Sequence, residues 1–182
     1  SPIFNVKDIE GEDKDEIIAR HQGELEKPRP EPERMENCEK VFTEYHRRET
    51  LETQWGGDKA CYSPSLDIVT MPKRKQFHSA HALYSTWGHE LGHSTGHSKR
   101  LNRDMSGMFG LHTYAKEELV AELCAFLIAD ELQINSDTQN HANYLQSWIK
   151  CLHKDPSILK TSLKEANRAR NYILHPKEDK TK

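Results

Sequence analysis

The sequence predicts an α+β domain in which helices pack on a small mixed sheet. Three observations carry that expectation. Apolar residues recur at helical spacing in several stretches. One segment, between residues 60 and 71, reads as a pair of short strands instead. One of the helices carries the run His89-Glu90-Leu91-Gly92-His93, a spacing that chemistry uses.

The elements follow in chain order. Residues 1–33 are polar and irregular, and Ile3, Phe4 and Val6 can form only a short extended segment. The stretch Glu26-Lys27-Pro28-Arg29-Pro30-Glu31-Pro32 reads as a stiff charged linker, because alternating prolines favour polyproline II over helix. From about residue 33 to 52 a helix is expected, with Met35, Cys38, Phe42 and Tyr45 on one face. Trp55-Gly56-Gly57-Asp58 breaks it. Tyr62, Ile68, Val69 and Met71 mark the strand pair, with a turn at Ser63-Pro64-Ser65, and Pro72 suits the end of an edge strand. A helix over 79–95 follows, with Ser79 as N-cap and Gly96 as its stop. Residues 98–112 form a loop containing Gly107 and Gly110. A helix over 113–132 turns Leu119, Leu123, Phe126, Leu127 and its alanines toward the core. Helices at 139–153 and 156–174 complete the domain at residue 175, before a charged tail over 176–182.

Composition bounds the function. The chain has 182 residues, a net charge of −3 and 35% hydrophobic residues, enough for one modest core. Its basic residues come in small groups without interleaved aromatics, which argues against generic nucleic-acid binding. Cys38, Cys61, Cys124 and Cys151 form no C-x-x-C pair and read as reduced thiols. Trp55, Trp87 and Trp148 read as core anchors. With no secretory segment and no long apolar run, a cytoplasmic protein without membrane contact is the expectation. The Ser1-Pro2 opening reads as that of an excised domain.

On a helix, His89 and His93 share a face, with Cβ atoms about 5–6 Å apart. Two imidazoles so placed can bind one Zn²⁺ at about 2.0–2.1 Å each. Glu90 lies about 100° around the helix from His89, since 3.6 residues make a turn. It is therefore placed to act on a metal-activated water as general base and acid, not to ligate the ion. Gly92 disfavours a plain structural helix, and close packing against another backbone would explain it. A catalytic zinc keeps three protein ligands and one open position. Lys99 stands where a third histidine of the longer H-x-x-G-x-x-H pattern would fall, and Gly96 breaks the alignment that His97 would need. The next helix offers Glu118 and Glu122, i and i+4 on one face of an apolar helix, where unpartnered carboxylates would be costly. Glu118 is assigned as third ligand and Glu122 as the acceptor for a ligand histidine N–H, with the swapped assignment still open. Glu117 reads as solvent-facing.

These residues carry a resemblance. The stretch Tyr62 to Pro72, the run HELGHSTGH from His89 to His97, Arg100-Leu101-Asn102-Arg103, Tyr114 to Glu122 and Ser147-Trp148-Ile149-Lys150 together resemble the C-terminal metallopeptidase domain of ArdC-type antirestriction proteins. They are equally similar to the zincin-like domains of phage and plasmid polyvalent proteins. The likeness covers about residues 55 to 174. It implies a zincin-like fold, a bacterial or mobile-element origin and cytoplasmic action, while the site residues themselves point to one zinc per chain and a protein or peptide substrate. Phe4-Asn5-Val6 resembles the joint to an N-terminal single-strand-DNA-binding domain, so DNA contact would come through that domain. The Pro-rich insert at 22–33 departs from the family pattern.

The resemblance also implies that an edge strand beside the metal helix receives substrate, and Asp67, Ile68, Val69, Thr70 and Met71 are the candidates. Tyr114 is a candidate oxyanion donor. The combined expectation is a zinc peptidase using Glu90. Its rival is a non-catalytic, metal-stabilised module that occupies DNA or a restriction or regulatory protein.

Overall fold

In the computed structural model, which describes residues 31–105, 112–134 and 155–176, the first helix is α1 (Glu31–Glu49). Cys38, Phe42 and Tyr45 recur along it at helical spacing, and all three are fully buried. The helix starts two residues earlier than the sequence suggests. Pro32 falls in its first turn, where a missing N–H breaks no intrahelical bond. Thr50, at φ 53°, ends the run, and the Leu51 amide closes on the His46 carbonyl at 3.0 Å.

Three strands follow. β1 (Glu52–Trp55), β2 (Cys61–Ser63) and β3 (Ile68–Met71) form one sheet in the order β1-β3-β2. β1 runs parallel to β3 with Thr53 opposite Val69, and β2 runs antiparallel to β3 with Tyr62 opposite the same residue. β1 is absent from the sequence reading because Glu52-Thr53-Gln54 carries no apolar alternation. Its hydrogen bonds to β3 make the strand, not its side chains. The turn between β1 and β2 uses Gly56 and Gly57 at φ 151° and 80°, a region that side chains other than glycine rarely enter. The turn between β2 and β3 closes with the Asp67 amide on the Ser63 carbonyl at 2.8 Å.

A short 3₁₀ turn (Arg74–Gln76) leads to α2 (Ala80–Ser94). Ser79 caps it as expected, its hydroxyl accepting from the Ala82 amide at 3.0 Å. α3 (His112–Glu131) packs between α2 and α4 (Ser157–Leu174). The core gathers Phe42, Tyr45, Val69, Met71, Trp87, Leu91, Val120, Cys124, Ile128 and Ile173. Trp87 anchors it, edge-on to Phe42 at 5.3 Å and to Trp55 at 5.2 Å. No described helix is long and apolar enough to cross a membrane. Cys38, Cys61 and Cys124 form no disulfide with one another; Cys38 and Cys124 are buried and Cys61 is exposed.

The expectations for residues 1–30, Gly107, Gly110, the helix at 139–153, Trp148, Cys151 and the tail from 177 fall outside the described residues. One other needs correction. Phe126 is 50% exposed, because α3 is covered on its α2 and α4 sides and Phe126 points to neither. Gly96 stands just past the Thr95 C-cap, where the helix stops as expected. A Cβ there would sit 2.7 Å from the Met105 sulfur and 3.0 Å from the Arg103 guanidinium, so close approach by the following loop explains it.

Gly92 is explained by close approach too, as the sequence suggested. A Cβ at 92 would lie 3.2 Å from both the Cα and the carbonyl oxygen of Ala121 and 3.4 Å from Cys124 Cβ. Gly92→Ala would remove a helix-propensity penalty of about 1 kcal/mol. It would also overpack a helix–helix contact, at about 1–3 kcal/mol. The expected outcome is net destabilisation of roughly 1 kcal/mol in urea unfolding of the metal-free chain. A stabilised variant would contradict this account of the packing.

His46 offers a second test. Its Nδ1–H donates to the Leu51 carbonyl at 2.9 Å, while Nε2 accepts from the Trp87 indole at 3.1 Å. Burial holds the imidazole pKa below its ordinary value, despite the backbone hydrogen bond that raises it. The folded state therefore keeps His46 neutral while the unfolded chain protonates first, at about 6.5. Stability from this group is present above that value and lost as pH falls below it. Denaturant titrations at pH 5 and pH 8 should differ less in His46→Gln than in the parent. An unchanged pH dependence would remove His46 from the account.

Candidate metal centre

α2 is amphipathic in an unusual sense, because one of its faces is chemical. Its N-terminal half is held by the Ser79 cap and by Leu83, Tyr84 and Trp87 in the core. One turn later His89 and His93 stack on the same side, ring centroids 4.7 Å apart and edge to face. Their Nε2 atoms are 3.1 Å apart. Opposite them, α3 presents Glu118, whose Oε2 is 3.7 Å from His89 Nε2 and whose Oε1 is 3.5 Å from His93 Nε2. Among the described residues, His89, His93 and Glu118 form the group of donors close enough to share an ion. A cation about 2.0–2.2 Å from each donor allows donor separations up to about 4 Å, and the three separations fall inside that limit.

The other ring nitrogens strengthen the fit. His89 Nδ1 lies 2.8 Å from Glu122 Oε2, at ion-pair distance though outside hydrogen-bond alignment. His93 Nδ1 lies 3.3 Å from Glu117 Oε1. A carboxylate only accepts, so each neighbour draws the imidazole proton to Nδ1. Both Nε2 lone pairs then face one another at 3.1 Å. That arrangement is repulsive unless a cation lies between them.

One helix supplies all three carboxylates. Glu118 faces the ion position, Glu122 stands one turn on behind His89, and Glu117 stands one residue back behind His93. The solvent-facing reading of Glu117 is overturned, since the residue is only 8% exposed. Burial would raise its pKa, but hydrogen bonds from Arg103 and His93 outweigh it and hold the carboxyl below the usual range. Sequence missed Glu117 because it lies about 100° from Glu118, and nothing in the chain says which neighbour occupies that direction.

Glu90 is also buried, at 7% exposure, and it lines the cleft with His89, His93 and Glu118. No hydrogen bond or ion pair ties its carboxylate to another described residue. The cleft has a volume of about 350 Å³ and its walls include Ala60, Cys61, Tyr62, Pro64, Met105 and Tyr114. Tyr114 is thus on the wall, two residues into α3. His97 is outside the donor group, facing the Lys99 amide at 3.2 Å and Asp67 at 3.9 Å.

The strand assigned to substrate requires correction. β3, with Ile68, Val69, Thr70 and Met71, is the middle strand of the sheet and is paired on both sides. It has no free edge to offer. Asp67 is not a docking residue either. It sits at φ 55° and ion-pairs with the buried Arg100, while accepting from the Tyr62 hydroxyl at 2.7 Å. Arg100 Nε also donates to the Ser94 carbonyl at 2.7 Å, which ties the β2–β3 turn to the end of the metal helix. The strand at the sheet edge and on the cleft wall is β2. One crossover, which seats β3 between β1 and β2, decides this, and residue pattern cannot show it.

With this geometry in view, comparison with known proteins is informative. A family model for zincin-like metallopeptidases matches residues 39–164. The chain is 45% identical over 122 residues to the DNA primase TraC of Escherichia coli, a match covering 67% of this chain and 8% of that protein. It is 34% identical over 151 residues to the protein y4eC of Sinorhizobium fredii, covering 82% and 48%. The Mn(II)-bound crystal structure of a plasmid antirestriction protein, ArdC, matches with a TM-score of 0.64 at 30% identity, covering 80% of this chain and 52% of that one. The metal-free ArdC structure matches with a TM-score of 0.62. The chain therefore spans about half the length, or less, of the relatives it matches. The matched residues include both helices of the donor group and the sheet beside them, and the chain belongs to the zincin-like metallopeptidase family.

Proposed function

We propose that this chain is a zinc-dependent peptidase in which His89, His93 and Glu118 hold one cation and Glu90 is the general base. The observation that carries the reading is the convergence of His89, His93 and Glu118 beside the buried Glu90, whose carboxylate has no hydrogen-bond or ion-pair partner among the described residues. Two imidazoles and one carboxylate suit zinc. The Mn(II)-bound structure of the ArdC relative supports a divalent ion as the group this chain would bind. When bound, such an ion would polarise the substrate carbonyl and activate a water. Glu90 would take the proton from that water and deliver it to the leaving amine. Glu122 and Glu117 would hold the two histidines with their Nε2 lone pairs toward the ion. Tyr114 would donate to the developing oxyanion from the cleft wall. An extended peptide would add to the free edge of β2, along Cys61, Tyr62 and Ser63, with main-chain hydrogen bonds supplying affinity.

The likeness to the plasmid antirestriction protein ArdC supports an antirestriction or mobile-element setting; a protein or peptide substrate and action in the cytoplasm are part of the same proposal. The rival reading, a binding module in which the metal only stabilises the fold, has less support. ArdC is known in Mn(II)-bound and metal-free forms, and this chain matches both about equally, with TM-scores of 0.64 and 0.62. A fold common to both forms does not depend on the ion.

Two measurements test the proposal. Glu90→Gln should leave zinc affinity unchanged and lower the rate of peptide cleavage by about 100-fold or more, read on a peptide library digested by the zinc-loaded chain. Cleavage that survives intact in the variant would exclude Glu90 as the base. Absence of cleavage by the parent chain would favour the binding module. The ligand assignment is tested by zinc affinity alone. Glu118→Gln should nearly abolish binding, whereas Glu122→Gln should weaken it by about 10–100-fold. The reverse order would exchange their roles.

A further inference from the structure

We infer that Arg103 is a positioning residue for the metal centre: through Glu117 it fixes the orientation and tautomer of His93, and so sets the affinity of the site for its cation. The inference rests on the metal site proposed above but concerns a residue that touches neither the ion position nor the cleft.

The loop after α2 is folded so as to deliver this side chain. The Leu101 amide donates back to the Thr95 carbonyl at 2.9 Å, Asn102 to His97 at 3.1 Å and Arg103 to Gly96 at 3.0 Å. Asn102 takes φ 49° to make the reversal. The Arg103 side chain is then 7% exposed, and its guanidinium makes four hydrogen bonds. Nε and Nη2 form a fork on Glu117 at 2.9 Å to Oε2 and 2.6 Å to Oε1. Nη1 donates to the Thr95 hydroxyl at 2.7 Å, and Nη2 also donates to the Gly92 carbonyl at 2.9 Å. Gly92 and Thr95 lie in the last turn of α2 and its C-cap, where carbonyls lack helical donors and a cation is favoured.

The geometry has one consequence for chemistry. A two-point fork fixes the plane of a carboxylate as well as its position. The oxygen that Nη2 holds at 2.6 Å is the same Oε1 that faces His93 Nδ1 at 3.3 Å. Without the fork, Glu117 is a three-torsion side chain free to turn away. His93 would lose its acceptor, and with it the preference for a proton on Nδ1 and a lone pair on Nε2. His89, which faces Glu122 instead, would keep its own. Arg103 also joins the ligand-bearing turn of α2 to the carboxylate-bearing face of α3. It therefore aligns the two helices at the one place where the donors meet. A lysine could supply the charge but not the fork.

The test uses the full chain with Arg103→Lys and Arg103→Met. Three quantities are read: zinc affinity by competition with a chelator, thermal stability without metal, and imidazole nitrogen–proton correlations of the metal-free protein. Arg103→Lys is expected to weaken zinc by about 10–100-fold and to move His93 alone from the Nδ1–H signature toward a mixture of tautomers. Unchanged zinc affinity with an unchanged His93 signature overturns the inference. So does a parallel change in His89 and His93, which would mark general loosening of the helix pair. If neither variant folds, Glu117→Asp withdraws the acceptor from His93 by one methylene and must produce the same selective change. A parent chain that binds no zinc would refute the metal reading. The His93 comparison in metal-free protein would still decide the role of Arg103.

Discussion

The whole site depends on how closely α2 and α3 can approach. A residue with a side chain at position 92 would hold the helices apart, since its Cβ would meet the Ala121 backbone at 3.2 Å. Glycine lets the two backbones come nearly into contact, and alanines on α3 complete the fit. The close crossing brings Glu117, Glu118 and Glu122 within 4 Å of the two imidazoles. A helix-propensity cost at one residue thus becomes a donor set.

Charge arrangement follows from that crossing. Four carboxylates surround two imidazoles at low exposure, and they are treated differently. Glu117 is neutralised by Arg103. Glu118 and Glu122 face ring nitrogens. Glu90 is left facing the cleft with no partner among the described residues. An uncompensated group of this kind is unfavourable in a poorly solvated site, and a dication would offset it. The same imbalance that favours metal leaves one carboxylate available for proton transfer. The frame around this group is stiff. Arg100 joins the β2–β3 turn to the end of α2 through Asp67, Tyr62 and the Ser94 carbonyl. The edge strand and the end of the metal helix are therefore joined through one guanidinium.

Much of this was legible in residue order. The spacing of Cys38, Phe42 and Tyr45, the Ser79 cap and the strand pair before Pro72 each record a local rule, and local rules survive in sequence. The i and i+4 histidines and the Glu118–Glu122 pair are local in the same sense. Gly92 could be read as a mark of close packing because its cost is intrinsic to any helix. β1 could not be read, because its strand character comes from hydrogen bonds to β3 rather than from its own side chains. Phe126 was misread for a related reason: α3 interleaves apolar and charged residues around its circumference, so its pattern does not choose a face.

By itself, then, the sequence determined the helix carrying His89, Glu90 and His93 and the neighbouring helix able to answer it, since one turn of helix sets those distances without help from the rest of the chain. Tertiary structure decided which carboxylate meets which nitrogen, that β2 and not β3 borders the cleft, and that Arg103 and Glu117 stand behind His93. Those are relations between segments that approach only after the loop at 95–103 reverses and the sheet assembles. The spacing of residues along a chain carries no record of such distances.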